Sequence, residues 1–165
     1  MRRLHGIEMR LPEGKLPGYY AQIVKGIAER TVLFDRRKEL LVLDDPASVP
    51  GVTDLLAHYR VPADPVPLLL LPAAGVRPGP DYADYAIETS EGRVYLDLGQ
   101  AALFRLARQG PAAEPAPALL QLDEHLIVSM AGDDGDEWHA LPRPLTELAD
   151  RVARIYGCEA VWLAD

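Results

Sequence analysis

The sequence predicts an α+β protein, a mixed but mainly antiparallel sheet with helices packed on it. Three observations carry that expectation. Short apolar runs rich in β-formers come in pairs joined by polar turns, as hairpins do. Stretches with apolar residues at i, i+3, i+4 and i+7 lie between those pairs, as helices with one buried stripe do. At 165 residues, 48% hydrophobic and 25% charged, the chain suits a single compact unit, residues 1–165, with a substantial core.

Taken in order, Ile7, Met9 and Leu11 alternate within residues 4–11 and predict a first strand, closed by Pro12 and the Pro17-Gly18 pair. Tyr20, Ile23, Val24 and Ile27 follow helical spacing. T-V-L-F-D and E-L-L-V-L-D-D, joined by Arg36-Arg37-Lys38, predict a hairpin. Val52, Leu55, Leu56 and Tyr59 form a second helical stripe, ended by Pro62, Pro65 and Pro67, and Leu68–Leu71 reads as a buried strand. This βαββαβ order of the N-terminal half is shared by ferredoxin-like sheets.

Past the loop 73–80, Tyr85, Ile87 and Thr89 alternate and pair with Val94, Leu96 and Leu98 across the turn Ser90-Glu91-Gly92-Arg93. Ala102, Leu103, Leu106 and Ala107 suggest a helix stopped by Gly110-Pro111. The Pro/Ala-rich stretch 111–118 has no apolar period and reads as a linker that would divide the chain into 1–110 and 119–165. Leu119–Leu122 and Leu126–Met130 suggest another hairpin. Pro144 and Gly157 bracket the clearest helix, with Leu145, Leu148, Ala149, Val152, Ile155 and Tyr156 on one stripe, and residues 160–163 read as a last strand.

Charge and cysteine content exclude several functions. The net charge is −8 and uneven: residues 1–60 hold ten Lys/Arg against eight Asp/Glu, and residues 61–165 seven against seventeen. Such a field repels phosphate backbones, and no basic stripe with interleaved aromatics offsets it, so nucleic acid is not the expected partner. No apolar run approaches the roughly 20 residues that span a bilayer, so no membrane partner is expected. Glu8 and Arg10 interrupt any apolar signal region. With Cys158 alone, an intramolecular disulfide and a cysteine-based metal site are both excluded, which suits the reducing cytoplasm.

Two stretches hold candidate chemistry. In A-G-D-D-G-D-E-W-H-A, Asp133, Asp134, Asp136 and Glu137 supply oxygen ligands of the kind Mg²⁺ or Ca²⁺ takes, the glycines let a backbone fold round an ion, and Asp136, Glu137 and His139 together would also suit a transition metal. EF-hand spacing and His-Glu-x-x-His are absent. The other reading is a solvated turn, in which Asp and Gly are favoured for their backbone and Trp138 packs inward. In P-D-Y-A-D-Y, Asp81, Tyr82, Asp84 and Tyr85 form an acidic, aromatic loop suited to a protein contact. Asp44-Asp45 ends a strand, but no phosphate loop accompanies it. His58 and His125 are surface residues unless the fold brings them to those acids. Cys158 reads as a buried small hydrophobe, and Ser129 lacks a G-x-S-x-G frame.

These features favour a non-catalytic protein-interaction or regulatory module that needs no cofactor, with a protein partner and self-association as a homodimer or other homo-oligomer. A divalent-metal hydrolase built on residues 133–139 is the alternative. An acidic mimic of nucleic acid is a third reading.

Overall fold

The computed structural model describes residues 1–14 and 17–165. β1 (Arg2–Met9) precedes α1 (Pro17–Arg30), whose Ile23 and Ile27 are fully buried as their spacing requires. β2 (Asp35–Arg37) and β3 (Leu40–Leu43) form the expected hairpin, although only three residues of its first arm are strand. Lys38 turns the hairpin with φ of 49°. Asp45 Oδ1 accepts from the Ala47 amide at 2.9 Å and caps a short turn at Pro46–Ser48, which opens α2 (Val49–His58). β4 (Ala63–Leu70) starts earlier than its apolar run, because Pro65 and Pro67 have a φ compatible with extended backbone and lack only a donor.

The second half corrects several expectations. β5 (Arg77–Pro78) is a two-residue edge strand. Tyr85 ends a single helical turn, α3 (Tyr82–Tyr85), and the strand that follows is only β6 (Ile87–Glu88), paired with β7 (Val94–Asp97). The expected helix near Ala102 is a strand, β8 (Ala101–Arg108). Its first four residues are all buried because neighbours cover both faces, and such a run mimics a helical stripe. The stretch expected as a linker opens a helix, α4 (Pro115–Leu122), since proline is tolerated in a first turn and alanine favours the rest. Leu119–Leu122 therefore belongs to that helix and not to a hairpin. β9 (Val128–Ala131) and β10 (Glu137–Pro142) enclose the acidic turn, and α5 (Thr146–Ile155) ends at Gly157, φ 68°, before β11 (Cys158–Trp162).

The chain makes two compact units, one of residues 2–70 and 88–95, the other of residues 1, 71–87 and 96–165. Residues 111–118 lie inside the second. The first unit is built on a sheet of order β2-β3-β1-β4-β7-β6, antiparallel at β2/β3, β3/β1 and β1/β4. Ile7, Met9, Leu41 and Leu43 of that sheet pack against Ile23 and Ile27 of α1 and Val52, Leu55 and Leu56 of α2. Each such side chain, fully buried, contributes about 1.5–3 kcal/mol. The second unit is built on a sheet of order β11-β8-β10-β9-β5, antiparallel at each pairing. Phe104, Leu141 and Ala160 from its strands pack with Ala118 and Leu122 of α4 and Ala149, Val152 and Ala153 of α5. No helix among the described residues is long and apolar enough to cross a membrane.

The six-stranded sheet of the first unit is curled. β2 and β6 are its outermost strands, and in a flat sheet they would lie about 24 Å apart at the usual strand spacing. Yet the carboxylate of Asp35, on β2, accepts hydrogen bonds from Thr89 Oγ1 at 2.8 Å, next to β6, and from Tyr95 Oη at 2.7 Å, on β7. The side chain of Asp35 is 2% exposed and Tyr95 is fully buried.

Candidate functional site

The β9–β10 hairpin positions the groups that the sequence singled out. Its register sets His139 opposite Ser129, while Arg77 of β5 lies opposite Ser129 on the other side and Phe104 of β8 opposite His139. Residues directly opposite in a sheet share a face, so Arg77, Ser129, His139 and Phe104 form one row. Ser129 Oγ lies 2.7 Å from His139 Nδ1, and Phe104 is tilted against the imidazole with ring centres 5.5 Å apart.

Ser129 and His139 are the one serine–histidine hydrogen bond found among the described residues, and Glu137 Oε2 stands 3.8 Å from His139 Nε2. This resembles a nucleophile, a base and an orienting acid. Its surroundings work against that use. Ser129 is 7% and His139 3% exposed, so little of either group meets solvent. Burial, reinforced by the charge of Arg77, pushes the imidazole down to about 4. It is therefore neutral at pH 7 and a weak base, far from the value near ambient pH that suits proton transfer. With the imidazole neutral, Nδ1 accepts from the Ser129 hydroxyl, while Glu137 stands 3.8 Å from Nε2, beyond hydrogen-bond range. Glu137 itself is ion-paired with Arg77. The row is a buried, hydrogen-bonded serine–histidine pair beside an exposed ion pair.

The carboxylates of the acidic turn go to separate partners. Asp133 pairs with the Met1 amino group. Asp134 Oδ1 accepts from the Asp136 amide at 3.1 Å, within the turn. Asp136 Oδ2 lies 3.3 Å from Arg105 on β8. Among the described residues no three His, Cys, Asp or Glu side chains gather as a metal would require. Trp138 is buried, packs under Gly132 at the base of the turn, and its Nε1 has no acceptor. An unmet N–H donor does not help to hold a cation.

Asp81, Tyr82, Asp84 and Tyr85 surround the α3 turn, with both acids exposed and both tyrosines half-buried. The Gly79 amide donates to Ile127 O at 2.8 Å, and a Cβ on Gly79 would come within 1.7 Å of Leu126 O. Only glycine permits that approach. Since β5 and β9 run antiparallel, the contact sets the α3 turn beside the turn at Asp123–His125. Asp123 and Glu124 are exposed as well, in the turn just before β9, the strand paired with β5. Sequence reading identified the first loop but missed its neighbour, which depends on the pairing of a two-residue strand.

The other candidates stay apart. Asp44 pairs with Arg2 at 2.6 Å and Asp45 caps its own turn. His125 lies 3.3 Å from Glu124, and His58 meets Tyr59 edge-on. Cys158 is buried, its Sγ 3.5 Å from Tyr156 O. No family model, curated protein or solved structure matches the chain.

Proposed function

We propose that the chain is a non-catalytic protein-interaction module, whose second unit docks on a basic surface of a protein partner. The observation that carries this reading is where the charge sits. The second unit holds six Lys/Arg against fourteen Asp/Glu, whereas the first holds eleven of each. The whole net charge of −8 therefore belongs to the second unit. Its carboxylates at Asp81, Asp84, Asp123 and Glu124 are exposed, and Asp81 and Asp84 flank tyrosines that can add apolar contact, a composition suited to recognising Lys and Arg side chains. The reactive groups of this unit, Ser129 and His139, are buried and the imidazole is a weak base, which favours contact over chemistry.

The test is capture of partners by the immobilised chain at rising salt, followed by calorimetry with a lysine-rich peptide. A capable partner would be basic, and its affinity would fall steeply as the Debye length shrinks from about 10 Å at 0.1 M to about 3 Å at 1 M salt. Substituting Asp81, Asp84, Asp123 and Glu124 by their amides would weaken it. Binding insensitive to salt and to those substitutions would refute the reading. Light scattering after size exclusion tests self-association, which is proposed alongside. The alternative, a divalent-metal hydrolase on residues 133–139, would be favoured by calorimetric binding of Mg²⁺, Ca²⁺, Mn²⁺ or Zn²⁺ at millimolar concentration or below.

A further inference from the structure

The polar cluster around Asp35 lies outside the docking surface and does more than satisfy one buried acid. It bridges two parts of the first unit that the strand order sets at opposite ends. On one side stand Phe34 and Asp35 of the β2 edge. On the other stands the hairpin segment 88–95, which supplies Thr89, Arg93 and Tyr95. Asp35 accepts from the Thr89 hydroxyl at 2.8 Å, the Tyr95 hydroxyl at 2.7 Å and the Arg36 amide at 2.8 Å, and Arg93 Nη1 lies 3.5 Å away. Arg93 also donates to Phe34 O at 3.4 Å and stacks over the Phe34 ring, 4.8 Å from its centre. Arg2 covers the same ring at 4.4 Å and is itself paired with Asp44. The hairpin segment closes on itself through a tight turn, with the Thr89 amide donating to Arg93 O at 2.9 Å and the Gly92 amide to Thr89 O at 3.0 Å.

We propose that segment 88–95 is a strap, closed on β2 by the carboxylate of Asp35, that opens as one unit while β1, β3, α1 and α2 stay folded. Three features support local opening. The segment is short, its own turn holds it together when released, and, apart from the pairing of β7 with β4 that opening would also release, its polar contacts with the β2 edge converge on Asp35 and the Phe34 carbonyl. The core beneath α1 and α2 is made by Ile7, Met9, Leu41, Leu43 and the helices themselves, so it does not need the strap. Asp35 is the control point because its partners in the cluster are all donors or cations. Without the carboxylate, two buried hydroxyls and the Arg93 guanidinium lose their common acceptor, a costly arrangement in a closed state.

Hydrogen–deuterium exchange read by mass spectrometry tests this, using Asp35→Asn, Tyr95→Phe and Thr89→Val beside the unaltered chain. The expected result is exchange faster by about 10-fold or more, the scale of one lost hydrogen bond to a charged group, in peptides covering 34–37 and 88–95. Peptides covering 2–9, 40–43 and 49–58 would keep their protection. Tyr95→Phe removes one oxygen and keeps the ring, so it decides the matter if Asp35→Asn fails to fold. Unchanged exchange at 88–95 in Tyr95→Phe would overturn the proposal. So would acceleration spread evenly over β1, β3 and α2, which would mark the cluster as part of the global core.

Discussion

Replacing Tyr95 by Phe is the most informative single change to the stability of the first unit. It deletes one hydroxyl that is fully buried and donates at 2.7 Å to a carboxylate 2% exposed. A hydrogen bond to a charged group is worth about 1.5–3 kcal/mol, and both groups are buried, so the loss should lie in that range at pH 7. The pH dependence follows from Asp35. Burial alone would push its carboxyl up, but the hydrogen bonds from Tyr95, Thr89 and the Arg36 amide, with the charge of Arg93, outweigh it and hold the carboxyl below its ordinary range. An acid depressed in the folded state stabilises fully above its unfolded value, near 3.9. That contribution disappears as pH falls through the lower folded value. The difference between Tyr95→Phe and the unaltered chain should therefore be whole above about pH 5 and shrink in stronger acid. Tyr95 is pushed the other way, by burial and then by its bond to Asp35 and that residue's charge, so its hydroxyl stays protonated and keeps donating. Urea unfolding at a series of pH values measures both. A loss below about 0.5 kcal/mol at pH 7, smaller than any hydrogen bond to a charge, would refute the reasoning. So would a loss that stays constant into strong acid.

Other outcomes follow from the same contacts. Nitrogen NMR of the His139 imidazole should show a midpoint near 4, and a midpoint near 6.5, the ordinary histidine value, would mean that the site is wetter than described. Gly79→Ala should destabilise the second unit by about 3 kcal/mol, the upper end of overpacking, because its Cβ would fall 1.7 Å from the backbone oxygen of Leu126; urea unfolding would show no change if the β5–β9 contact were loose. Arg77→Gln removes the partner of Glu137 and the cation beside His139, and should move the His139 midpoint upward from about 4. An unmoved midpoint would make burial the sole cause.

Periodicity made much of the first unit legible. Ile23 and Ile27 in α1, and Val52, Leu55 and Leu56 in α2, each present one apolar stripe to one core, and the L-L-V-L run is the strand it resembles. The second unit was harder because one of its inner strands, β8, begins with a run buried on both faces. Ala101–Phe104 has no polar alternation, so nothing local separates it from a helix. The Pro/Ala stretch misled in the opposite sense, since proline breaks a helix only past its first turn. Of the site, the acidic turn and the tyrosine loop were visible as composition. The Ser129–His139 contact was also within reach: with the turn set at residues 132–136, antiparallel register brings 129 opposite 139. The Asp35 cluster was not, because its partners lie 54 and 60 positions away and only the curl of a whole sheet brings them together.

The claim that the chain works by contact and not by chemistry meets its most direct test at Ser129. Mass spectrometry of the folded chain after exposure to a fluorophosphonate, which phosphonylates activated serines, reads the result at that residue. A buried hydroxyl beside a neutral, weakly basic imidazole predicts an unmodified Ser129. Stoichiometric labelling there, abolished by His139→Ala, would contradict it.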